Sequence, residues 1–107
     1  MKEAAMAVYI ETKTKDELLA RLSGEIDHHS SLWLRMDIDT AICENKPKTL
    51  QLDFSDVSFM DSSGVGLVMG RYKLMKEIGG SVELINLPDS IERVMLLAGM
   101  NRICKIK

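Results

Sequence analysis

The run Asp61-Ser62-Ser63-Gly64 places an acid and two hydroxyls between an apolar pair, Phe59-Met60, and a long apolar segment with helical spacing. Two kinds of chemistry suit those residues at that position. A helix leaves its first amide N–H groups unpaired, and an Asp or Ser side chain can accept from them, a contribution of about 1 kcal/mol. Asp61, Ser62 or Ser63 could serve in this way. The same amides, with the helix dipole, also favour an anion. A phosphoryl group on Ser62 would be tolerated there and would add about −1.5 to −2 charge units to the surface. Asp61 would add to that negative charge. The serines are thus either caps or groups that another protein modifies.

Other clusters offer less. His28 and His29 are adjacent, so in extended chain they point to opposite sides and make a poor metal pair. They read as loop histidines that help to fix a strand-to-helix turn, and no metal site is expected. The carboxylates of Asp53, Asp56 and Asp61 are scattered along a strand end and loop, and no nucleophile–base spacing accompanies them. The glycines of Gly64-Val65-Gly66 and Gly70 fall inside the helical segment with no Gly-Lys-Ser/Thr after them, which is not a phosphate-binding loop. Neither an enzyme nor a resident cofactor is expected. Cys43 and Cys104 lack Cys-x-x-Cys spacing and read as reduced, mostly buried thiols.

These residues need a scaffold, and the pattern of apolar residues supplies one. Residues 7–13 and 17–23 read as two strands joined by a polar turn, an opening hairpin. GEIDHH (24–29) reads as a polar connection, with Ser30 or Ser31 capping a first helix in which Leu34, Ile38, Ala41 and Ile42 recur at helical spacing. Residues 49–54 alternate as a half-buried strand. A second helix spans 62–78 and is closed by Gly79-Gly80. Residues 81–86 form another strand, 88–98 a third helix opened by Pro88, and 102–106 a last short strand. Helices that alternate with strands after a hairpin predict an α/β domain, one mixed sheet with helices packed against it.

Chain-wide properties bound the function. A length of 107 residues suits one domain, 1–107, and 46% hydrophobic residues suffice for one core. Eight methionines are read as core filling. A net charge of −2 gives no electrostatic case for nucleic acid. No apolar run approaches the roughly 20 residues that cross a bilayer. The N-terminal MKEAAMAVYIETK lacks the apolar region of a signal peptide, so a cytoplasmic protein without membrane contact is expected.

On a helical wheel, Val65, Val68, Met69, Tyr72 and Met75 share the core side of the second helix, widened by Leu67, Leu74 and Ile78. The remaining sector carries Gly66, Gly70, Lys73 and Glu77, with Ser62 at its leading edge. Each interior glycine costs a helix roughly 1 kcal/mol relative to alanine. Gly66 and Gly70 either fit the crossing of a neighbouring helix or, with Ser62 and Lys73, form a face where another backbone docks closely.

GEIDHH followed by a helix, and SFMDSSGVGLVMGRYKLMKEIGG, resemble the bacterial anti-sigma factor antagonists, single-domain STAS proteins (sulfate transporter and anti-sigma factor antagonist). The likeness spans nearly the whole chain and is nearest to the sporulation branch acting on the sigma F pathway. It implies a mixed sheet of four to five strands, an opening hairpin and three to four helices. It also implies a partner switch. The unphosphorylated antagonist binds an anti-sigma factor that is a serine kinase, freeing the sigma factor. The kinase uses ATP to phosphorylate the first serine of Asp-Ser-Ser-Gly, here Ser62, and binding ends until a serine phosphatase resets it. Asp61, Ser63 and Gly64 match the motif, and Asp27 matches the aspartate of the Gly-Glu-x-Asp-His-His loop. Together with Ser62, Gly66, Gly70 and Lys73 these are the expected partner-binding residues. The Asp27 loop should lie beside the Ser62 helix start, since both follow strand ends. A small domain with one docking face is expected to be a monomer. The sequence departs from this group at Leu32 and Trp33, where polar residues are usual. Trp33 is expected to pack partly against the sheet, with a species-specific contact as the alternative. A general stress-response antagonist and a small-ligand or nucleotide-binding STAS module are the other readings.

Overall fold

A computed structural model describes residues 6–107. The chain runs β1 (Met6–Thr12), β2 (Glu17–Ile26), α1 (His28–Asn45), β3 (Thr49–Met60), α2 (Ser63–Glu77), β4 (Ser81–Ile85), α3 (Asp89–Leu97), a 3-10 turn (Met100–Arg102) and β5 (Lys105–Ile106). β1 and β2 form the expected antiparallel hairpin, whose turn is tied by the Thr14 hydroxyl accepting from the amides of Asp16 and Glu17, each at 3.1 Å. Thereafter each strand lies parallel to the one before it, so the sheet order is β1-β2-β3-β4-β5.

Parallel neighbours require a crossover, and α1 and α2 supply it for β2-β3 and β3-β4. Alternate residues of the central strands enter the core: Leu18, Ala20 and Leu22 from β2, Leu50, Leu52 and Phe54 from β3. Leu34, Ile38 and Ile42 of α1 meet them, as their spacing predicts.

Two strands run further than their sequence pattern predicts. β2 continues through Gly24 to Ile26, and β3 continues past Phe54 to Met60. Between them the register shifts at Arg21/Ser23 and again at Gly24/Glu25, and Gly24 takes φ of 86°. Such irregularities break the period-2 alternation while the two backbones keep satisfying each other's hydrogen bonds. GEIDHH is therefore no loop. Its first three residues finish β2, Asp27 caps α1, and His28 and His29 open that helix instead of lying in a turn.

The buried side of α2 is also rotated from expectation. It holds Gly64, Leu67, Val68, Arg71 and Met75, while Val65, Met69 and Tyr72 pack only in part against the core. Arg71 belongs to that buried side, with its guanidinium against Asp39 of α1. Cys43 is exposed, contrary to the expectation of a buried thiol, whereas Cys104 is buried, which pushes its thiol up to about 11. Among the described residues, no helix is long and apolar enough to cross a membrane.

Candidate functional site

The site begins where β2 and β3 end together. Ile26 pairs with Met60 in register, and the Asp61 amide donates to the Ile26 carbonyl at 3.1 Å. The strands are parallel, so both polypeptides leave the same edge of the sheet and each turns at once into a helix. The aspartate that follows each strand, Asp27 or Asp61, is thereby placed beside the other. This is the juxtaposition expected of the Asp27 loop and the Ser62 helix start.

Asp27 is the N-cap of α1, a role expected of Ser30 or Ser31. Its extended backbone (φ −128°, ψ −174°) lets Oδ1 accept from the amides of His29 at 3.0 Å and Ser30 at 2.8 Å. Ser30 completes the box. Its Oγ accepts from the Asp27 amide at 3.0 Å and donates to the Glu25 carbonyl at 2.9 Å. The hydrogen bond from the Ser30 amide is the main force that holds the Asp27 carboxyl below its usual 3.8.

At α2 the two aspartyl and seryl roles separate. Asp61 Oδ1 accepts from the Ser63 amide at 2.8 Å, and its carbonyl accepts from the Gly64 amide at 3.0 Å. Ser62 already has helical torsions (φ −63°, ψ −16°), a geometry that does not turn a side chain back onto the following amides. It makes no side-chain cap hydrogen bond and is exposed. The capping reading therefore belongs to Asp61, and the Ser62 hydroxyl is left to solvent. Because Asp61 and the first turn occupy these amides, an anion on Ser62 would be favoured mainly by the helix dipole.

Beyond Ser62, a β carbon built on Gly66 or Gly70 would meet nothing within 4 Å. No neighbouring helix crosses at these glycines, which removes the internal-packing reading for both. Lys73 is exposed on the same sector. Gly64 lies apart from this face: it is buried, and a side chain there would run into the Met60 thioether. Ser63 is half-buried beside it.

A groove of about 270 Å³ separates the two helices, with His28, Ser31, Leu32 and Arg35 on the α1 wall and Ser63, Gly66 and Leu67 on the α2 wall. One turn deeper, Arg71 Nε lies 2.7 Å from Asp39 Oδ1 and ties α2 to α1. Burial pushes the Arg71 pKa down, the Asp39 carboxylate opposes it, and the Arg35 charge adds to the push. Sequence reasoning missed this pair. Its signal was the position of Arg71, four residues from both Leu67 and Met75 and thus on the buried stripe. Trp33 stands out from the solvent side of α1 and is exposed, so it does not pack against the sheet. Asp53 bonds Arg21 and the Ser55 amide, away from Asp61. Among the described residues no cluster of three His, Cys, Asp or Glu side chains could hold a metal ion.

Comparison with known proteins gives this geometry a family. Residues 9–107 match the STAS domain. An anti-sigma F factor antagonist of Paenibacillus polymyxa is 38% identical over 89 residues, covering 83% of this chain and 76% of the relative. The anti-sigma-B factor antagonist of Bacillus subtilis is 31% identical over 102 residues, covering 94% of this chain and 92% of the relative. Among solved structures, the anti-sigma factor antagonist SpoIIAA is similar in two states at 35% identity. Its unphosphorylated form gives a TM-score of 0.82 over 94% of this chain and 88% of that one, and its phosphorylated form 0.74 over 94% and 91%. This chain belongs to the STAS family, among its anti-sigma factor antagonists.

Proposed function

We propose that the chain is the phosphorylation-controlled half of a partner switch. Bare, it binds an anti-sigma factor that is also a serine kinase, and the displaced sigma factor is released. Ser62, Ser63, Gly66, Gly70 and Lys73 form the docking face, with Asp27 and Asp61 at its leading rim. The kinase transfers the γ-phosphoryl group of ATP to the Ser62 oxygen, whose proton leaves as ADP is released. A serine phosphatase hydrolyses the ester and resets the protein. The chain itself performs no catalysis, contacts no membrane or nucleic acid, and acts as a cytoplasmic monomer.

The observation that carries this reading is the Ser62 hydroxyl, exposed at the start of α2 and relieved of capping by Asp61. A structural serine would be bound, and its modification would damage the helix. Here a phosphate can be added and removed while the cap stays intact. The added charge of about −1.5 to −2 sits next to Asp61 and on a face meant for close contact, so binding is lost while the fold persists. The existence of a SpoIIAA structure in each phosphorylation state, both alike to this chain, supports a fold that survives the change.

The greater identity to an anti-sigma F antagonist supports the sporulation pathway, and the 31% relative named for sigma B supports the stress-response alternative. Calorimetric titration of Ser62→Ala and Ser62→Asp against the anti-sigma kinases of both pathways tests function and pathway together. Ser62→Ala should bind one kinase as the wild type does, and Ser62→Asp should bind it at least tenfold more weakly. Equal binding of both variants would reject the switch.

A further inference from the structure

Leu32, Trp33 and Met36 are exposed by 42%, 53% and 57%, three large apolar side chains on one surface of α1. Leu32 and Met36 are four residues apart, and Trp33 and Met36 three, so they form one contiguous patch. Such a patch on the solvent side of a helix is a marker of an interaction site. Its position says what covers it. Leu32 is also a wall of the groove whose other side is Ser63 and Gly66, so through Leu32 the patch borders the docking face of α2 across that groove. Arg35 lines the same groove. Among the described residues it has no ion-pair partner, because Asp39, the nearby acid, is engaged by Arg71. The groove therefore offers an uncompensated cation flanked by apolar surface.

We infer that the α1 patch of Leu32, Trp33 and Met36, with Arg35, is the selectivity half of the anti-sigma factor interface, and that it takes an apolar segment carrying a carboxylate. This rests on the docking function proposed above and adds which partner is chosen. The α2 face, built on glycines, admits any backbone that approaches closely. It discriminates little. Arg35 is exposed in the free chain, and apolar anchors that a partner closes around such a charge discriminate well, since a partner lacking the matching acid would leave Arg35 desolvated and unpaired.

Trp33 is the only tryptophan of the chain and sits in the patch, which makes it a reporter. The chain is labelled with 5-fluorotryptophan and titrated with the unlabelled anti-sigma kinase of the same organism, while calorimetry measures affinity and mass spectrometry follows Ser62. The fluorine resonance should shift and lose its sensitivity to D2O as the kinase binds. Leu32→Glu sets a carboxylate one turn from Arg35 and removes an apolar anchor. It should bind at least about tenfold more weakly, the scale of an interface anchor, with an unchanged melting temperature. Leu97→Glu, at a site 84% exposed on α3, should bind as the wild type does. If the kinase binds and labels Ser62 while the resonance stays put and Leu32→Glu binds normally, the α1 patch is not part of the interface although the docking function stands. If the resonance instead shifts with the concentration of the chain alone, a second copy covers the patch and the inference fails. A kinase that neither binds nor labels the wild type overturns both readings.

Discussion

Replacing Gly70 by glutamine should move stability and binding in opposite directions. Gly70 lies in the interior of α2, and a β carbon there meets nothing within 4 Å, so adding one carries no steric cost inside the fold. An interior glycine costs a helix about 0.8–1.0 kcal/mol against alanine, and glutamine is nearly as good a helix former. The variant should gain about 0.5–1 kcal/mol. For a domain of this size that raises Tm by about 2–4 °C. On the docking side the side chain occupies the space that the partner's backbone would fill. Overpacking of a close contact costs about 1–3 kcal/mol, which weakens binding by about fivefold to 150-fold. Differential scanning calorimetry and titration against the anti-sigma kinase read the two quantities separately. A higher Tm with normal affinity would show that Gly70 faces only water and that the α2 surface is wrongly placed. A lower Tm would show that the open space beside Gly70 does not exist.

Asp61→Ala should lose about 1 kcal/mol as the α2 cap is removed, whereas Ser62→Ala should leave the chemical denaturation midpoint within error; a midpoint that drops for Ser62→Ala would return the capping role to the serine. Asp27 titrates below its usual 3.8 when folded, so its carboxylate stabilises the fold fully above that pH and the stabilisation is lost as pH falls through the lower folded value. Acid titration followed by circular dichroism should show a shallower loss of stability below about pH 4 in Asp27→Asn, whose amide can still cap; an unchanged acid limb would contradict this. Iodoacetamide at pH 8 should label Cys43 and spare Cys104, whose buried thiol is pushed up to about 11, and labelling of both in the native protein would refute the packing around Cys104.

Much of the scaffold is legible in the sequence because burial writes it there. The α1 stripe of Leu34, Ile38 and Ile42 and the alternation in residues 49–54 name elements that pack as expected. The strand ends are not legible. Residues 24–26 and 55–60 become strand because β2 and β3 hydrogen-bond to each other, a cause that no local pattern records. The α2 wheel misplaced the core face because Arg71 counts as polar, yet its partner Asp39 makes it a buried residue. The site shows the same division. Residue types announced a helix start able to carry a cap or a phosphate, but only backbone torsions separate Asp61, which caps, from Ser62, which does not. The open space at Gly66 and Gly70 and the exposure of Trp33 likewise depend on what the rest of the chain leaves uncovered.

If Ser62 is the switch, its modification ends binding and spares the fold. Incubation with the anti-sigma kinase and ATP, followed by intact-mass measurement and fragment mapping, tests it most directly. The product should carry one phosphoryl group, on Ser62 alone, with its far-UV circular dichroism unchanged. Phosphate on Ser63 with Ser62 bare, or loss of helical signal on labelling, would contradict it.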